Sequence, residues 1–176
     1  MQPSPNPEQT PPIPMDPIAA AKMQAGMRDI YLKEAYNAAG SNFYTIAVLS
    51  IINSVIALFK GNIYFPIGLG LTQIVDVFAG ALSQEVGSTI FLIIGFVINL
   101  FILGIVAIFG FFIKRKVKWL IPFGSVLYLL DGLILLVFQD WFGAGFHAYF
   151  LYRIWTSWKA IGSLTAAAPE SAIEVI

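Results

Sequence analysis

Residues 90–113 read IFLIIGFVINLFILGIVAIFGFFI, an uninterrupted apolar run in which Asn99 is the one side chain able to form hydrogen bonds. A hydrocarbon core of about 30 Å is crossed by roughly 20 apolar residues in a helix. A helix also satisfies every backbone N–H and C=O within the segment itself, which lipid cannot do. The run therefore predicts a transmembrane helix that is apolar all round, and with it an integral membrane protein.

Similar segments lie on both sides of it. The hydropathy pattern predicts spans at about 43–59, 63–82 and 119–138, with 141–164 as a fifth segment that either spans or lies at the interface. The 63–82 segment holds Pro66, Gly68, Gly70 and Gly80, so it either crosses with a kink or enters and returns without crossing. The 141–164 segment carries His147, Arg153 and Lys159 among Trp141, Tyr149, Tyr152, Trp155 and Trp158, a composition suited in part to the headgroup layer. Overall, 58% of the 176 residues are hydrophobic and 11% charged, against roughly 25% charged in a soluble domain. There is no Cys and one His, and ten basic residues balance ten acidic ones. This composition disfavours disulfides, thiolate metal sites and nucleic-acid binding.

Ahead of the spans, 1–17 is proline-rich and is expected to be a disordered tail. Asp16-Pro17 reads as a helix start, with the carboxylate as N-cap and proline in the first turn. From 18 to 39, Met23, Met27, Ile30 and Tyr31 recur at spacings of three and four, with Lys22, Arg28, Asp29 and Lys33 on other faces. That pattern predicts an amphipathic helix in the headgroup layer, ended by Gly40. Residues 165–176 are expected to form a mobile tail. The fold class is thus all-α: a polytopic integral membrane helical bundle with an N-terminal amphipathic interfacial helix.

Orientation follows from the basic loop Lys114, Arg115, Lys116 and Lys118, which the positive-inside bias places in the cytoplasm, while 83–89 has Glu85 and no basic residue and belongs outside. Four full spans then put the amino terminus outside, against the preference of Lys22, Arg28 and Lys33. A re-entrant 63–82 segment removes that conflict.

Polar side chains recur near the middle of the segments: Asn53, Gln73, Asp76, Asn99 and Asp131. A charge at that depth costs about 2.5–3.5 kcal/mol on insertion scales, so these groups are expected to turn inward and meet. They serve either as interhelical hydrogen-bond glue or as the lining of a polar or proton pathway. Asp131 needs either a proton or a partner, and Tyr128, Asp140, His147 and Arg153 are the neighbours that could form its ion pair or hydrogen bonds. No paired His/Glu motif, phosphate loop or nucleophile motif is present, so no metal, cofactor or catalytic residue is assigned and an enzyme is not expected.

The stretches Ser50-Ile51-Ile52-Asn53-Ser54, 68–76 (GLGLTQIVD), 127–132 (LYLLDG) and 139–148 (QDWFGAGFHA) resemble a group of small, uncharacterised bacterial multi-pass membrane proteins. The resemblance covers about 43–162 and implies a helical fold in a bacterial cytoplasmic membrane, with no activity attached. The leading functional expectation is a small membrane subunit or scaffold that packs with a partner membrane protein or with itself within the lipid bilayer. The alternative is a small transporter or channel using Asp76 and Asp131.

Overall fold

A computed structural model describes residues 16–59 and 68–167. They form five helices: α1 Pro17–Leu58, α2 Gly70–Val86, α3 Ile90–Lys114, α4 Leu120–Val137 and α5 Trp141–Ala166. Among the described residues the structure is all-helical, and α1, α3 and α4 are long and apolar enough to cross a membrane. The proline-rich stretch up to residue 15, residues 60–67 with Pro66, and residues 168–176 lie outside the described part. Thr165 and Ala166, expected in the carboxy-terminal tail, belong instead to the last turn of α5.

The start of α1 agrees with the sequence: the Asp16 carboxylate accepts the Ile18 N–H at 3.0 Å. Its course does not, because α1 continues unbroken through Gly40 for 42 residues. The stretch expected at the interface and the stretch expected to span form one helix. Gly40 serves a crossing, not a stop. A Cβ built there would lie 2.5 Å from the Gly110 carbonyl oxygen, and one on Gly110 would lie 2.8 Å from that of Gly40. The absence of both side chains lets the α1 and α3 backbones touch.

Contacts along the helices fix their directions. Gly40 meets Gly110 and Lys114, whereas Ser54 meets Asn99 further along, so α1 and α3 are antiparallel. Ser54 also meets Asp76, and Leu69 meets Ser50, so α2 runs parallel to α1. Gly95 lies against Ala79 and Asn99 against Thr72, which makes α2 antiparallel to α3. Asp131 against His147, with Leu135 near Gly143, sets α4 and α5 antiparallel.

α2 takes up only part of the 63–82 segment expected to span, and it runs in the same direction as α1. Its helix begins at Gly70, where Leu69 packs with Leu103 near the middle of α3, and accompanies only the first half of that helix. The start of α2 stands level with Ser50, well before the end of α1. Such a helix start inside the bundle exposes unpaired N–H groups, and a neighbouring helix supplies the acceptors.

Two cores result. Tyr36, Phe43, Ile113, Ile121, Ile154 and Ile161 fill the end near the 115–119 loop. Ile46, Leu69, Leu103, Tyr128 and Phe150 surround the start of α2. Of the ten Lys and Arg, Lys60 alone lies outside the described residues. The others lie toward the end of the bundle filled by the first core, with Lys22, Arg28 and Lys33 on the part of α1 that leads out past Gly40, where Lys114 packs.

This arrangement predicts that single cysteines replacing Gln24 and Lys116 in the cysteine-free chain react with an impermeant maleimide from one side of the membrane, and a cysteine replacing Ser88 from the other. Labelling of Gln24→Cys and Ser88→Cys from the same face would contradict the half-helix arrangement.

Candidate functional site

The polar residues gather around the first turn of α2, where they form two hydrogen-bond networks. In the first, Asp131 on α4 reaches the open end of α2. Its Oδ2 accepts the Gly70 N–H at 2.7 Å and its Oδ1 the Leu71 N–H at 2.8 Å. A carboxylate on two free N–H groups at a helix start gains from both hydrogen bonding and the helix dipole. Its third contact is His147 on α5, whose Nε2 lies 2.8 Å from Oδ2.

The partners of His147 define its protons. Nδ1 lies 2.9 Å from the Gly143 carbonyl oxygen, which only accepts, so Nδ1 carries hydrogen. One further proton then lies between Nε2 and Oδ2, making the pair either imidazolium with carboxylate or imidazole with carboxylic acid. The pair is neutral overall in both forms, which limits the cost of burying it. The Tyr128 ring stacks on the imidazole, with centroids 4.2 Å apart and planes at 16°. Gly132 faces it from α4, since a Cβ there would lie 3.0 Å from that of His147. The ring is thus stacked on Tyr128, packed close to Gly132 and held at both nitrogens.

The second network joins α1, α2 and α3. Ser54 Oγ donates to Asp76 Oδ2 at 2.9 Å. Asn99 Nδ2 donates to Asp76 Oδ1 and to Ser54 Oγ, each at 2.8 Å, and approaches the Thr72 carbonyl oxygen at 3.2 Å. Asn99 is fully buried, and its Oδ1 has no partner among the described residues. Ser50 ties α1 to the residue before α2: its Oγ donates to the Ile46 carbonyl at 2.9 Å and accepts the Leu69 N–H at 2.8 Å. Thr72 Oγ1 closes the turn on the Leu69 carbonyl at 2.8 Å.

Asp76, Asn99 and Asp131 thus lie around one helix start, as the sequence suggested, but in two networks and not one shared cluster. Asn53 lies against Gly68, with its Nδ2 2.9 Å from a Cβ built there. Gln73, in the first turn of α2, is half-buried, with its amide nitrogen turned out of reach of solvent. The expected neighbours divide. His147 and Tyr128 join Asp131, while Asp140 caps α5 by accepting the Gly143 N–H at 2.9 Å.

Arg153 does not join the site: it sits over the Tyr149 ring at 5.9 Å, one turn away on α5. Six residues beyond His147, it lies too far toward the basic end to reach Asp131. In the basic loop, Lys114 sits over the Tyr44 ring and Arg115 over Phe111. Lys116 adopts a left-handed backbone, φ 67°, to turn the chain into α4.

Sequence reasoning passed over Ser50, Ser54 and Thr72 as contributors, and over the Gly70 and Leu71 N–H groups as ligands. A signal was available: Ser50 and Ser54 are four apart on the face that also carries Asn53, and Gly68-Leu69-Gly70 marks a backbone that must approach its neighbours. Comparisons with protein-family models, with curated proteins and with solved structures return no match.

Proposed function

We propose that the protein is a non-catalytic membrane subunit whose bundle anchors and aims the first part of α1 toward a partner membrane protein or a second copy of itself. The observation that supports this reading is the apolar stripe on that part of the helix. Met23, Met27, Ile30 and Tyr31 are each more than two-fifths exposed, whereas Leu32, Ala35 and Tyr36 turn into the core. Because α1 is one continuous helix, its axis carries the stripe away from the bundle at the basic end. A stripe of this size on a helix that leaves the core calls for an apolar contact.

The gathering of positive charge at that end favours a cytoplasmic location for it, and the resemblance noted above favours a bacterial inner membrane. Four crossings, by α1, α3, α4 and α5, with α2 as a half-helix between them, are the reading most consistent with that placement. The closed hydrogen bonding of Asp131 supports its role as a pin for α2.

A photo-crosslinking residue at Met27 in intact membranes tests the proposal. Crosslinking to protein is expected, and a product of twice the 19.3 kDa chain mass identifies a second copy. Exchange of Met23, Ile30 and Tyr31 for Gln, a good helix former, is expected to abolish that product while leaving bundle stability within about 0.5 kcal/mol. Crosslinks to lipid alone would favour the headgroup-layer helix and overturn the proposal.

A transporter or channel is the second reading, and one observation favours it: Asp76 is only half-buried and shares its network with the unpartnered Asn99 Oδ1. Ion or proton flux in vesicles that is lost in Asp76→Asn would promote that reading.

A further inference from the structure

A groove with a cavity volume of about 460 Å³ runs between α4 and α5 in the basic half of the bundle. Its walls are Ile121, Pro122 and Val126 on α4 and Leu151, Trp155 and Trp158 on α5. Ser125 adds no polarity to it, because its hydroxyl donates back to the Ile121 carbonyl at 2.7 Å. The groove is short: 121–126 covers about 7.5 Å of helix and 151–158 about 10.5 Å. That length gives another helix too little seam to pack against, but it suits a flexible hydrocarbon chain entering from the bilayer.

The end of the groove toward the basic loop carries two cations. Lys118 Nζ lies 5.1 Å from the centroid of Trp158, and Lys159 Nζ lies 5.5 Å from that of Trp155. Both rings also line the groove, so the ammonium groups stand at the rim of the same apolar cleft. Neither has a carboxylate within salt-bridge distance among the described residues. An apolar slot capped at headgroup depth by two cations without acidic partners matches one amphiphile, with a hydrocarbon tail and an anionic head.

We propose that this groove is a binding site for an anionic phospholipid, with an acyl chain between α4 and α5 and the phosphate between Lys118 and Lys159. The site is independent of whatever α1 engages. It places a lipid molecule against the helix that carries His147, and it ties the α4–α5 pair to the acidic leaflet.

The two tryptophans report on occupancy. In the full chain with Trp119→Phe and Trp141→Phe, the remaining indoles are Trp155 and Trp158. Their fluorescence is measured in phosphatidylcholine vesicles containing increasing fractions of brominated phosphatidylglycerol, or of brominated phosphatidylcholine. Quenching by the anionic lipid is expected to reach half its maximum at about a tenfold lower fraction. Lys118→Gln with Lys159→Gln removes that preference, whereas Lys114→Gln with Lys116→Gln, an equal loss of charge outside the groove, retains it. Equal quenching by the two lipids overturns the proposal. So does a preference that survives loss of Lys118 and Lys159, or one that falls equally in both double variants, which is the signature of general surface attraction.

Discussion

Asp131→Leu is expected to lower the unfolding temperature in detergent by roughly 10–20 °C, and Asp131→Asn by only a few degrees. The leucine leaves the Gly70 and Leu71 N–H groups and His147 Nε2 without their acceptor in a buried site. Each such loss costs about 1–3 kcal/mol. Asparagine keeps most of the arrangement. Its oxygen can accept the Leu71 N–H while its amide donates to Nε2 of an imidazole that retains the Nδ1 hydrogen toward Gly143. The contact that fails is Gly70, where two N–H groups then face each other. Thermal unfolding followed by intrinsic fluorescence, with monodispersity checked by size exclusion, measures both variants. Equal losses would show that Asp131 does not hold the start of α2.

Gly40→Val is expected to cost about 3 kcal/mol or to prevent folding, because the new side chain meets not only the Lys114 side chain but also backbone that cannot rotate away. At the nearest approach the obstacle is the Gly110 carbonyl oxygen, so relief requires α1 and α3 to separate along their shared seam. Gly104→Ala provides the contrast. It lies inside α3, where a new Cβ finds open space, and should stabilise the helix by about 0.5–1 kcal/mol. Both glycines are helical and only one stands at a crossing. The same unfolding measurement therefore separates backbone contact from intrinsic helix propensity. A small effect at Gly40 would contradict the close α1–α3 crossing.

The residue pattern alone determined that the chain is helical and membrane-embedded, because the length and apolarity of 90–113 leave few other ways to satisfy its backbone. It also determined the cap at Asp16, and the fact that Asp76, Asn99 and Asp131 had to turn inward, since lipid offers no partner for a polar group. What the pattern could not contain was direction and pairing. Gly40 reads locally as a helix end, and only the backbone of Gly110, seventy residues away, makes it a crossing point.

The weak hydropathy of 63–82 read as a span, with a re-entrant segment as the alternative. A helix start inside the bundle needs a distant acceptor for its freed N–H groups, and Asp131 supplies it. Arg153 and His147 were both chemically suitable partners for that carboxylate. The antiparallel register of α4 and α5 brought the histidine level with it and carried the arginine two turns past, a difference of packing that no local sequence signal records.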